Sequence, residues 1–211
     1  MKKTVFYFML VLCVGVAGFA LYGYFVLPPG STVSPEMKAT YQAHKLRILT
    51  HVFFAVVALA TGPFQFIPAI RKRRSLHRKL GYVYFTSVFL GGLSGFAMSF
   101  ISAGGLTAHL GFGSLAVLWL FSGYQALAAV RRRDFQQHEA WALRSFGLTF
   151  AAVTLRIYLG LFFALGVSFD AFYPLISWLC WVPNLVFVEW LVLPPKLVTQ
   201  TTKSPALQPT T

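Results

Sequence analysis

Apolar residues dominate six stretches of the chain, approximately 4–27, 48–70, 80–102, 106–130, 141–167 and 172–193, separated by short polar or basic segments. Each stretch has the roughly 20 residues a helix needs to cross about 30 Å of hydrocarbon. The pattern predicts an all-α integral membrane bundle of six transmembrane helices over residues 1–195. The remaining sixteen residues, KLVTQTTKSPALQPTT at 196–211, are polar and bear Thr and Pro, which predicts a disordered cytoplasmic tail. The first stretch follows Lys2 and Lys3 like a signal peptide, but it exceeds an h-region of about 7–15 residues and reads as an anchor.

The punctuation between the runs refines this picture. Segment 28–47, PPGSTVSPEMKATYQAHKLR, opens as a Pro/Gly/Ser loop. Ser34 before Pro35 has the form of an N-cap and first helical residue, so the second helix is expected to begin outside the bilayer and run inward. The loops RKRRSLHRK and RRRDFQQHE are compact and basic. A faint repeat also appears: His51, GPFQ, RKRR and His77 are followed in the same order by His109, GYQ, RRR and His138. It predicts that helices two to five form one central four-helix unit, with helices one and six as additions.

Composition supports the membrane reading. The chain is 57% hydrophobic and only 11% charged, where a soluble domain carries about 25% charged residues. The net charge of +13 suggests nucleic acid in a soluble protein, but here the cations flank apolar runs. With the N-terminus inside, one face collects Lys2, Lys3, Arg71, Lys72, Arg73, Arg74, Arg78, Lys79, Arg131, Arg132, Arg133, Lys196 and Lys203, against Lys38, Lys45 and Arg47 on the other. That excess predicts both termini in the cytoplasm. Cys13 and Cys180 each lie alone in an apolar run, which predicts buried fillers and no metal or disulfide.

Four of the five histidines fall one per helix on helices two to five. His51 and His109 lie near the outer ends, His77 and His138 near the inner ends. A b-type haem takes two axial imidazoles from facing helices, so this layout predicts two haem b groups, one held by His51 and His109 and one by His77 and His138. Small residues, Ala55, Gly81, Gly113 and Ala142, follow each histidine by one turn and would leave room for porphyrin edges. Arg78, Lys79 and Arg144 could pair with inner propionates, and Lys45 and Arg47 with outer ones. The competing reading is ordinary helix packing, for which the tape Ser87, Gly91, Gly95 and Ser99 needs no cofactor.

Arg156 lies within helix five, in AAVTLRIYLGL. A charge at that depth costs at least about 2.5–3.5 kcal/mol and is a functional-site hypothesis by default. His138, Ser145, Thr149 and Arg156 share one helical face, expected to look inward. Asn184 on helix six is at similar depth. The pair Arg156 and Asn184 would form either a structural clamp or a site for an anion or a quinone carbonyl. Ser-His-Asp, HExxH and Gly-rich phosphate motifs are absent, as is an intramembrane acidic chain of the kind a proton pump shows.

The stretches GPFQF, LHRKLGYVYF, GFGSLAVLW, HEAWALRSFGLTFAAVTLRIYL and SWLCWVPNL resemble the bacterial multi-pass membrane proteins of domain-of-unknown-function family 2306, over about residues 45–192. That resemblance implies a fold and a location, the bacterial inner membrane, but no mechanism. The histidine layout is similar to that of cytochrome b561-type di-haem proteins, which implies electron transfer across the bilayer between a quinol or periplasmic donor and an acceptor on the opposite face. The alternative is a cofactor-free membrane component or small permease.

Overall fold

A computed structural model describes residues 3–193, so the tail at 196–211 lies outside the described residues. Among these residues six helices are long and apolar enough to cross a membrane: α1 (Thr4–Phe25), α2 (Lys45–Phe66), α3 (Arg74–Ser99), α4 (Gly105–Arg131), α5 (Phe135–Ala164) and α6 (Phe169–Val192). They alternate in direction. One end of the bundle carries the cations of the α2–α3 and α4–α5 connections and is called here the basic end. The other carries residues 26–44 as a cap and is called the capped end.

Helices α2 and α3, α3 and α4, and α4 and α5 pack against one another, and α6 adds against α4 and α5. The main core runs through Tyr84, Val88, Trp119, Leu148, Phe172, Ile176 and Trp181. Helix α1 lies on α2 and the capped half of α5, and Cys13, Ala17, Leu59, Phe146 and Val153 make a second cluster. Cys13 and Cys180 are buried and unpaired, as expected of apolar fillers.

Several helix limits differ from those the hydropathy predicts, each for a local reason. α2 ends at Phe66 because Pro63 starts a 3-10 turn and Ile67, preceding Pro68, is extended (φ −75°, ψ 121°). A short helix, Pro68–Lys72, follows. α3 begins at Arg74, so His77 lies within a helix and not in a loop. α5 begins at Phe135 because the Asp134 carboxylate accepts from the Gln137 N–H at 3.0 Å and caps it. At the capped end, Ser34 stands before a 3-10 turn, Pro35–Met37, and a short helix, Lys38–Ala43, which breaks at His44 before α2 starts. The Ser34 hydroxyl bonds to the Glu36 carboxylate and not to the helix backbone. The outward extension of α2 is therefore a separate element, folded over the end of the bundle.

Candidate functional site

Two cavities lie on the axis of the bundle. The larger, about 570 Å³, occupies the capped half. Cap residues 31–41 roof it, α1 and α2 wall one side, and α3, α4, α5 and α6 supply the rest. Its floor is the ring of Trp119, which reaches in because Gly91 is opposite: a Cβ at Gly91 would lie 3.2 Å from that ring. Ala55, Ala116, Leu115, Leu155 and Phe112 make most of the wall apolar. Phe19 of α1 and Phe163 of α5, both more than half exposed on the side of the bundle, also line it, so the cavity reaches the surface that lipid would cover.

Two polar groups of particular interest face this space. The His51 Nδ1–H donates to the Gly91 carbonyl at 2.9 Å, which fixes its ring and leaves Nε2 without a partner among the described residues. The ring lies flat on α3 because position 95 is glycine: a Cβ there would come within 2.9 Å of Cε1. Arg156 hydrogen-bonds through one nitrogen to the Ala152 carbonyl at 2.8 Å, one turn back on α5. Its other N–H groups have no partner among the described residues. Among the described residues no buried side-chain nitrogen or oxygen lacks a partner, so these groups are open to accessible space. Tyr24, Tyr41 and Tyr173 add hydroxyls to the lining, as do Ser99, Ser102 and Thr149.

The smaller cavity, about 50 Å³, lies at the basic end and is lined by Gln65, Arg71, His77, Tyr84, His138 and Glu139 among others. His138 bonds through Nδ1 to the Ala126 carbonyl at 2.9 Å. With its amide nitrogen toward α3, Gln65 donates to His77 Nδ1 at 2.9 Å and accepts from the Gly81 N–H at 3.1 Å. Arg71 and Glu139 close the mouth with a two-bond ion pair at 3.0–3.1 Å, half exposed.

Between the cavities lies a knot of buried hydroxyls. Tyr84 meets Ser145 at 3.0 Å and Thr149 at 2.9 Å, and the Trp119 indole N–H donates to Thr149 at 2.9 Å. His138, Ser145, Thr149 and Arg156 thus all face inward along α5, as their spacing predicts.

The candidate residues fall together only in part. His77 and His138 share one cavity, but it is water-sized and has no room for a macrocycle. His51 lines the large cavity and His109 does not: His109 Nε2 bonds the Ser102 carbonyl in the α3–α4 connection at 3.0 Å. Neither level therefore presents two facing imidazoles around a porphyrin-sized space. Arg156 and Asn184 are not bonded to each other. Asn184 donates to the carbonyls of Gly147 and Cys180 and to the Thr154 hydroxyl, at 3.0–3.3 Å, and ties α6 to α5 without the arginine. Arg144, expected near a propionate, makes two bonds to Glu189 at 2.5 and 2.9 Å and stacks on Trp141. The cap, Trp119 and Tyr173 are site residues that the sequence does not single out. Only the Pro35-initiated turn hinted at the first.

A family model described as "Predicted membrane protein (DUF2306)" matches residues 48–192. That span covers α3 to α6 and nearly all of α2. Searches among curated proteins and among solved structures find no match.

Proposed function

The chain belongs to the DUF2306 family of predicted membrane proteins, and from that premise we propose that it binds one amphipathic small molecule within the capped half of the bilayer. The observation that carries the reading is the cavity of about 570 Å³, within the 300–1,000 Å³ typical of ligand pockets, apolar over most of its wall and with a few convergent polar groups. This is the cofactor-free reading of the chain, with Arg156 as a ligand contact and Asn184 as the clamp. Ala116→Phe tests it. Ala116 lines the cavity and is 5% exposed, so a phenyl ring there intrudes on the space. Native mass spectrometry of protein released gently from detergent should show a bound small molecule in the natural protein and its loss in the variant. A well-folded natural protein that carries none, and takes up none from a panel of amphiphiles, ends the reading.

A second reading keeps haem b and electron transfer from a quinol or periplasmic donor. It is favoured by one feature: His51 and His138 each engage a backbone carbonyl through Nδ1 and keep Nε2 free, the arrangement metal-ligating histidines use. The paired ligand sets His51 with His109 and His77 with His138 do not fit the cavities as they stand. A reduced-minus-oxidised spectrum of protein from haem-supplied cells decides the matter. A colourless, folded preparation removes haem from consideration.

A further inference from the structure

The ligand of the capped-half cavity has a charge that the protein's own electrostatics dictate. Arg156 sits about eight residues from the capped end of α5, roughly 12 Å along the helix at 1.5 Å per residue, and its guanidinium remains protonated in proteins. A cation at that depth requires an anion or a dense set of acceptors. The chain has five acidic residues, and none serves. Glu139 pairs with Arg71 and Glu189 with Arg144, both at the basic end. Asp134 caps α5 at the same end. Asp170 opens α6 at the capped end and makes no ion pair. Glu36 is on the fully exposed face of the cap, and the Ser34 hydroxyl holds its carboxyl below the usual carboxylate range. No acidic side chain lines the cavity. Arg156 keeps one carbonyl partner and leaves its remaining donors open to the space.

We propose that the molecule bound there is a long-chain amphiphile with an anionic head, a carboxylate or a phosphate monoester, whose charge pairs with Arg156 while its chain lies along the apolar wall. The inference rests on the reading of this cavity as a ligand site and adds the charge and class of the ligand. A guanidinium offers two parallel N–H groups to either head. The tyrosine hydroxyls supply further hydrogen bonds to the head oxygens, whereas His51, whose Nδ1–H is held by the Gly91 carbonyl, offers only an acceptor at Nε2. The cavity reaches the side of the bundle beside Phe19 and Phe163, so the chain extends toward the lipid.

Trp119 on the cavity floor provides the probe. Dibromostearic acid, which quenches indole fluorescence on contact, is titrated into the full-length protein in neutral detergent. The signal is the part of the quench absent from Trp119→Phe. The inference expects saturable quenching by the brominated acid and by the matching alkyl phosphate. It expects at least tenfold weaker apparent affinity for the brominated alcohol and for a neutral decyl-quinone competitor. Arg156→Gln should bring the acid down to the level of the alcohol, and Arg156→Lys should keep most of the difference. The stronger of the two anionic probes identifies the head. Equal binding of acid and alcohol overturns the anionic class and leaves the ligand site standing. No saturable quench by any probe overturns both. The acid-to-alcohol contrast is read on the natural protein, so it holds even where Arg156→Gln fails to fold.

Discussion

Replacing Thr149 by Val keeps the shape of the side chain and removes the hydroxyl at the centre of the buried knot. In the intact protein that oxygen accepts from the Trp119 indole N–H at 2.9 Å, meets Tyr84 at 2.9 Å and bonds back to the Ser145 carbonyl at 2.9 Å. Tyr84 keeps Ser145 after the change, so its loss is a single bond, about 0.6 kcal/mol by the average for membrane bundles. The Trp119 N–H loses its only acceptor in a residue that is 6% exposed, and an orphaned buried donor costs about 1–3 kcal/mol. Thr149→Val should therefore destabilise by about 1.5–3.5 kcal/mol. Tyr84→Phe breaks two bonds but strands only rotatable hydroxyls, which can turn to helix carbonyls, and should cost less, about 0.5–1.5 kcal/mol. Adding Trp119→Phe to Thr149→Val removes the orphan together with its acceptor. The double variant should then be more stable than the sum of the two singles by about 1 kcal/mol or more. Reversible unfolding in mixed micelles measures all five proteins, the natural one included. Additive single effects, or a Tyr84→Phe cost above that of Thr149→Val, would refute the assignment of the energy to the indole donor.

Other expectations follow from the same geometry. Cys13 and Cys180 are buried at 0% and 1% exposure, so a membrane-impermeant maleimide should label neither until the protein is unfolded. A cysteine placed at Arg132 should then react only from the cytoplasmic side, where the cation excess is expected to lie, and labelling from the periplasmic side would invert the topology. Asn184→Leu removes the amide that joins α6 to Gly147 and Thr154 of α5. It should cost about 1–2 kcal/mol with little effect on amphiphile binding, and a loss of binding at unchanged stability would place Asn184 in the ligand site.

The sequence carries the helices and the inward face of α5 openly, because hydrophobic runs and 3.6-residue spacing are local properties. His138, Ser145, Thr149 and Arg156 are legible on that basis. The ends of helices are less so when hydropathy alone defines them. The start of α5 was written in Asp134 and Gln137, a cap and its third residue, six positions before the apolar run begins. Pairings between helices depend on rotation about each axis, and spacing does not report that. His109 lies at the depth of His51 yet turns to the α3–α4 connection, where its Nε2–H donates to the Ser102 carbonyl. Asn184 lies at the depth of Arg156, but Thr154, two residues earlier on α5, is the residue facing it. The large cavity is the sum of many small side chains and the folded-over cap, and no single motif encodes a void.

Phe19 and Phe163, at the side of the large cavity, bear on how any ligand is supplied. A cap roofs the cavity from the aqueous face, whereas these two side chains belong to the surface that lipid would cover. A molecule that enters there arrives already partitioned into the bilayer. Occupancy then follows its mole fraction in the membrane and is indifferent to its dissolved concentration. At a fixed total amount of ligand, adding empty lipid should empty the site, as adding buffer would for a soluble protein. Affinities measured at different lipid-to-protein ratios should disagree in molar units and coincide when expressed per lipid.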